Sequence, residues 1–170
     1  MKVTTRSLAH AAILAALYVA LTLLQNLLLP GTTSYAIQFR AAEALCVFAL
    51  FTPAAIPGLT LGCLLFNLTS SAALPLDFLI GSAATLLATL LAYLLRNVRI
   101  GKLPLLSLLM PVIFNALLVG AELYFVIGEL SLWLNMLYVA IGEAAVMFTL
   151  GIALYFAFSS KHLNERLFGR

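Results

Sequence analysis

The hydrophobic pattern divides the chain into six apolar segments separated by short polar breaks. These segments cover residues 5–29, 37–51, 56–68, 76–95, 104–127 and 130–158. A helix needs about 20 apolar residues to cross a bilayer, so the second and third segments are short for a full crossing. They are either tilted or partly interfacial helices, or the two arms of one re-entrant hairpin. The pattern predicts an all-α integral membrane protein with six transmembrane helices, forming a single membrane domain over residues 1–170.

Composition and charge agree with this fold and give it an orientation. Hydrophobic residues make up 64% of the chain and charged residues only 9%, whereas soluble domains carry about 25% charged residues. Eight of the nine Lys and Arg residues lie in the tails and in one loop: Lys2, Arg6, Arg96, Arg99, Lys102, Lys161, Arg166 and Arg170. Because cytoplasmic segments of membrane proteins are enriched in Lys and Arg, both termini are predicted to be cytoplasmic, and no nucleic-acid partner is expected. The basic tail 161–170 is predicted to lie on the membrane surface.

The ninth cation, Arg40, lies inside the second apolar segment together with an anion, Glu43. Each would cost about 2.5–3.5 kcal/mol at the centre of a bilayer, so neither is stable there without a partner or water. Three residues apart on a helix, the two side chains can pair along one face. Cys46 and Cys63 have no metal-ligand spacing and are predicted to be packing residues, so no metal site is expected.

With both termini inside, polar residues from five segments fall in the outer half of the bundle. The side chains predicted to line one binding site, loaded from outside, are Arg40, Glu43, Asn67, Asp77, Asn115, Glu122, Tyr138 and Glu143. Glu122 and Glu143, the deepest acid, carry most weight because a carboxylate embedded in a membrane usually marks a functional site. Other interpretations stay open: Asp77 as a solvated helix-end residue, Arg40 with Glu43 as a structural ion pair, and Tyr138 as part of an interfacial aromatic belt. Carboxylates in this outer half, with Glu129 included, outnumber cations five to one, which favours a ligand rich in N–H donors or carrying an ammonium group.

The chain lacks the sequence motifs of nucleotide hydrolysis, zinc proteolysis and serine hydrolysis. An intramembrane enzyme is therefore disfavoured, and a protein that binds or transports a solute is predicted. A self-sufficient small secondary transporter is an alternative, although no inverted repeat supports alternating access.

Small residues recur every fourth position in the first segment, at Ala12, Ala16 and Ala20. Such spacing clears a strip along which another helix can approach closely. The other interpretation is that alanine is simply common in membrane helices.

Several short motifs together resemble the QueT family of queuosine-precursor transporters over about residues 5–158. They are IQFRAAEAL at 37–45, TPAAIPGL at 52–59 with Gly62 and Asn67 after it, DFLIGSAATL at 77–86, NALLVG at 115–120, and Gly142-Glu143. Members of this family are the substrate-binding S components of energy-coupling factor (ECF) importers. The resemblance implies a six-helix S-component bundle in the bacterial plasma membrane. Such a bundle binds its solute alone but moves it only with a transmembrane coupling subunit and two cytoplasmic ATPases.

The resemblance also implies partners, a ligand and residue roles. ATP is used by the partner subunits, so this chain is expected to need no cofactor, and Ala12, Ala16 and Ala20 match the pattern by which S components dock on the coupling subunit. The implied substrate is a 7-deazaguanine such as 7-aminomethyl-7-deazaguanine or queuine. Because S components for other vitamin-like solutes have similar helices, another such solute is the alternative.

For a 7-deazaguanine ligand, Glu143 is expected to accept the paired N–H donors of the guanine-like edge. Glu122 or Asp77 would receive the amine. Arg40 would either orient Glu43 or donate to the ring carbonyl, and the two asparagines at positions 67 and 115 would fill the remaining edge positions.

Overall fold

The computed structural model describes residues 4–32, 37–70, 74 and 76–159, and these residues form helices without any β-strand. Four helical runs are long and apolar enough to cross a membrane: α1 (Thr5–Leu28), α3 (Asp77–Leu94), α4 (Leu105–Val126) and the continuous run Leu132–Phe158. The last run consists of α5 (Leu132–Val146), a π-helical turn (Met147–Gly151) and α6 (Ile152–Phe158). Helix α2 (Ala55–Thr69) and a 3₁₀ helix (Ala41–Leu50) are apolar but shorter. The all-helical membrane fold is confirmed, while the count of six crossings and the cytoplasmic termini stay predictions.

The second predicted segment differs from expectation, because it forms a 3₁₀ helix over Ala41–Leu50 rather than an α-helix over 37–51. Nine of its ten residues are buried, and it lies at the centre of the hydrophobic core instead of facing lipid. A 3₁₀ helix is tighter than an α-helix and rises about 2.0 Å per residue, and runs of more than about four residues are uncommon. An apolar sequence such as this one does not distinguish the two forms, so the difference arises from packing on all sides.

Glycines allow the long helices to approach one another closely. A Cβ placed on Gly62 of α2 would lie 2.7 Å from Cβ of Tyr18 and 2.9 Å from the carbonyl oxygen of Ala15 on α1. On α4, a Cβ placed on Gly120 would lie 2.8 Å from Cα of Met136 on α5. Membrane helices commonly pack through small residues in this way, since apolar burial alone gives no preference for protein over lipid.

The polar residues gather at one end of the bundle. Short connections reverse the chain between α2 and α3 and again between α4 and α5, so the ends of α2 and α4 lie beside the starts of α3 and α5. Gln25, near the end of α1, joins this same end: its amide nitrogen donates to the carbonyl of Phe39, and its oxygen accepts from the N–H of Ala41 at 2.9 Å. This side chain therefore caps the start of the 3₁₀ helix. The predicted surface tail 161–170 lies outside the described residues.

Candidate functional site

An ion pair joins the start of the 3₁₀ helix to the start of α3. Nη2 of Arg40 lies 3.8 Å from Oδ1 of Asp77, and both side chains are buried. That separation is too long for a hydrogen bond, and Oδ1 of Asp77 makes none. The other carboxylate oxygen, Oδ2, accepts from the N–H of Leu74 at 2.9 Å. Asp77 is thus a buried, structured part of the cluster rather than a solvated helix-end residue.

Glu122 of α4 faces this pair. Its carboxyl group lies beside that of Asp77 and within electrostatic reach of Arg40. The residue is only 2% exposed, and neither of its carboxylate oxygens has a hydrogen-bond partner among the described residues. Two buried carboxylates at such close range repel each other unless a cation or a proton lies between them. The arrangement therefore favours a positively charged or donor-bearing group at this point.

Glu43 differs from the other carboxylates because protein donors surround it. Its Oε1 accepts from the hydroxyl of Tyr18 at 2.5 Å and from the hydroxyl of Thr85 at 3.4 Å, and its Oε2 accepts from the thiol of Cys46 at 3.3 Å. The residue is fully buried. Sequence reasoning missed Tyr18 and Thr85; the available signal was a tyrosine near the middle of a long apolar helix, where a buried hydroxyl needs a partner.

Glu143 of α5 lies within electrostatic reach of Glu43 and Arg40 and is 1% exposed. Its Oε2 has no hydrogen-bond partner among the described residues. The neighbouring Gly142 contacts the backbone of Gln38 so closely that a Cβ would overlap it. Glycine at this position therefore lets α5 bring Glu143 against the segment that carries Arg40.

The two asparagines are both buried but lie at different depths, Asn67 near the end of α2 and Asn115 near the middle of α4. Asn67 of α2 donates to the backbone carbonyl of Asp77 at 2.9 Å and leaves its own Oδ1 without a partner. Gly81 makes room for this amide, since a Cβ there would lie 2.9 Å from Nδ2 of Asn67. Asn115 is 2% exposed, and its Nδ2 has no partner in the described part of the chain. It lies seven residues before Glu122, on the same face of α4.

Tyr138 is the predicted site residue that stands apart. It is half-buried on α5, five residues before Glu143. Five residues on an α-helix correspond to a rotation of about 140°, so the two side chains lie on different faces. The structure thus brings seven of the eight predicted residues into buried positions, while Tyr138 lies at the margin.

Most of the buried side-chain atoms that lack a hydrogen-bond partner are acceptors. Among the described residues, seven buried side-chain N or O atoms lack a hydrogen-bond partner, and six of them belong to predicted site residues. Five of those six are acceptors: Oδ1 of Asn67, Oδ1 of Asp77, both carboxylate oxygens of Glu122, and Oε2 of Glu143. Buried polar groups are normally hydrogen-bonded, and each exception requires an explanation. A ligand with several N–H donors supplies one.

The same part of the chain contains no group of three or more His, Cys, Asp and Glu side chains placed to hold a metal ion. The two cysteines are not disulfide-bonded. Cys46 is more than a packing residue, because its thiol donates to Glu43.

Comparison with protein families gives one match. The family model described as QueT transporter matches residues 8–160, which is nearly the whole chain. No curated protein and no solved structure matches the chain.

Proposed function

The chain belongs to the QueT transporter family, and we propose that it is the substrate-binding subunit of an ATP-driven ECF importer for a queuosine precursor of the 7-deazaguanine class. As a member of a transporter family with four long apolar helices, it is a multi-pass protein of the plasma membrane that handles a small-molecule substrate, and it is not an enzyme.

The observation that carries the proposal is the excess of buried acceptors at one end of the bundle. Five acceptor atoms and one donor, Nδ2 of Asn115, make no hydrogen bond within the described residues, and they would suit a ligand that brings several N–H groups and at least one acceptor. A 7-aminomethyl-7-deazaguanine has this composition, because its guanine-like edge has adjacent N–H donors, its side chain an ammonium group and its ring a carbonyl. A phosphate or dicarboxylate would be repelled.

The positions of the acids suggest how the ligand is oriented. Glu143, which is buried within electrostatic reach of Glu43 and Arg40, would accept two parallel N–H bonds from the guanine-like edge, an arrangement that orients a planar ring as well as holding it. Glu122 and Asp77, which face each other, would share the ammonium group. Arg40 would donate to the ring carbonyl, with the amides of Asn67 and Asn115 at the remaining edge positions.

The exposed face of α1 supports the proposed docking of a transmembrane coupling subunit. Ala12, Ala16 and Ala20 are exposed, and they line a shallow apolar groove of about 570 Å³ with Val19, Leu23 and Leu65. Helix α1 packs inside the chain through the neighbouring face that contains Ala11, Leu14 and Tyr18, while Ala15 lies at the border, with its backbone against Gly62 and its side chain in the groove. The exposed strip is therefore available for a helix of the transmembrane coupling subunit, with two cytoplasmic ATPases supplying the energy.

The function is tested by separating binding from transport. Purified protein in detergent should bind 7-aminomethyl-7-deazaguanine in a calorimetric titration, whereas liposomes containing this chain alone should accumulate none under proton or sodium gradients. Adding the coupling subunit, the ATPases and ATP should start uptake. Gradient-driven accumulation by the chain alone would favour a self-sufficient carrier. Binding of thiamin, biotin or riboflavin in place of the deazaguanine would favour another S-component substrate.

Orientation is tested with single cysteines. In a variant with Cys46→Ser, which keeps a hydroxyl donor for Glu43, and Cys63→Ala, we expect Thr32→Cys to react with a membrane-impermeant maleimide added to intact cells. Lys102→Cys should react only after the membrane is permeabilised, because the basic loop is predicted to be cytoplasmic. The reverse labelling pattern would overturn the predicted orientation.

A further inference from the structure

Tyr18 connects α1 directly to the interior of the candidate site. The side chain is 1% exposed, and its hydroxyl donates to Oε1 of Glu43 at 2.5 Å. Thr85 and Cys46 also donate to Glu43, but they come from α3 and from the 3₁₀ helix itself. Tyr18 is thus the donor whose hydrogen bond links α1 to the carboxylate of Glu43.

A change in the orientation of the Glu43 carboxylate would affect the charged residues around it. Its charge acts on Arg40, the cation that holds Asp77, and on Glu143. If the hydroxyl of Tyr18 is lost, the carboxylate loses its shortest hydrogen bond and is free to turn toward the guanidinium of Arg40. Arg40 would then be drawn away from Asp77, and the acceptor geometry offered to the ligand would change.

Tyr18 is tightly packed where α1 crosses α2. Tyr18 packs against Gly62 of α2 with no space to spare, since a Cβ on that glycine would lie 2.7 Å from Cβ of the tyrosine. The exposed alanine strip (Ala12, Ala16 and Ala20) lies on the same helix, and its nearest members, Ala16 and Ala20, are two residues before and after Tyr18. A partner helix that shifts α1 would therefore shift the hydroxyl that holds Glu43.

We propose that Tyr18 is a positioning residue which, through its hydrogen bond to Glu43, makes ligand affinity depend on the position of α1. The inference rests on the proposed function, because it assumes that the coupling subunit docks on α1. Binding linkage is reciprocal, so the ligand must then change the affinity of this chain for that subunit by the same factor.

A double-mutant cycle in the isolated protein tests whether Tyr18 acts through Glu43. We expect Tyr18→Phe to weaken binding of 7-aminomethyl-7-deazaguanine by about tenfold, since a hydrogen bond to a charged group is lost. The double variant Tyr18→Phe with Glu43→Gln should bind no more weakly than Glu43→Gln alone. Tyr155→Phe is the matched control, because Tyr155 is also buried but stacks on Phe51, with ring centroids 6.0 Å apart. Additive losses, or Tyr18→Phe binding within about twofold of wild type, would overturn the inference.

A second measurement separates positioning from simple structural support. The affinity of this chain for the coupling subunit is measured in nanodiscs with and without 7-aminomethyl-7-deazaguanine. Wild type should show a ligand-dependent shift, Tyr18→Phe should lose it, and Thr85→Val, which removes a donor from α3, should keep it. An equal shift in wild type and Tyr18→Phe would contradict the role of Tyr18. A wild-type protein that binds no deazaguanine would instead contradict the proposed function.

Discussion

Replacing Glu143 by glutamine should weaken binding of 7-aminomethyl-7-deazaguanine by about 30- to several-thousand-fold, because removing one partner of a desolvated charged contact costs about 2–5 kcal/mol. The unliganded variant should be at least as stable as wild type. Glu143 is 1% exposed and one of its oxygens has no partner among the described residues, so neutralising it removes a cost of burying charge. Thermal unfolding and calorimetric titration of the same preparation would measure both effects.

Loss of affinity without loss of stability distinguishes a ligand contact from a structural one. The matched control is Glu129→Gln, because Glu129 is an exposed acid in the connection after α4; its binding should match wild type. A second contrast uses Glu122→Gln, which should penalise 7-aminomethyl-7-deazaguanine more than the uncharged nitrile analogue, since Glu122 lies with Asp77 at the proposed ammonium position. Glu143→Gln should penalise both ligands alike. Unchanged binding of both in that variant would rule out the assignment.

The buried acids differ in how far the protein itself satisfies them with hydrogen bonds. Glu43 is satisfied by three protein donors, whereas Glu122 and Glu143 keep oxygens that no described residue satisfies. Under the proposed function, a donor-rich ligand would supply the hydrogen bonds that these oxygens lack. Stabilisation of the folded state by ligand follows, and a rise in melting temperature on adding a deazaguanine is part of the same expectation.

The sequence was sufficient to predict which end of the bundle several of the polar residues share. Hydropathy gave the helices within a few residues, and alternation of helix direction placed Asn67, Asp77 and Glu122 at one end of the bundle, where the structure has them. Family motifs then identified the chain as a QueT transporter, which the family model confirms over residues 8–160.

The partners of those residues were not predictable from local patterns. The expected pairing of Arg40 with Glu43 rested on helical spacing, but the contacts of Arg40 with Asp77 and of Glu43 with Tyr18 join residues 37 and 25 positions apart in the chain. The 3₁₀ form of Ala41–Leu50 was missed for a similar reason. Apart from Glu43 its residues are apolar all round, and nine of the ten are buried, so tertiary packing rather than sequence period selects the tighter helix.

The exposed alanine strip on α1 is expected to be required for assembly with the coupling subunit. Ala16→Trp should abolish ATP-dependent uptake by the full complex, because an indole at this position fills the groove that the small side chains of Ala12, Ala16 and Ala20 leave open. Ligand affinity of the isolated chain should stay within about twofold of wild type, since Ala16 is exposed and surface substitutions rarely change stability by more than about 0.5 kcal/mol.

Two control variants, one on α1 and one on α2, distinguish loss of partner docking from loss of folding. Leu17→Trp puts the same bulk about 100° around α1 from Ala16, outside the groove lining, where Leu17 is 43% exposed, and uptake should survive because lipid accommodates it. Gly62→Val lies on the internal face, where even a Cβ would come within 2.9 Å of the carbonyl oxygen of Ala15, so folding and ligand binding should both suffer. Co-purification with the coupling subunit, ligand titration and vesicle uptake are measured for all three. If Ala16→Trp instead loses ligand affinity while assembly persists, the strip packs inside this chain, and α1 is not the surface on which the partner docks.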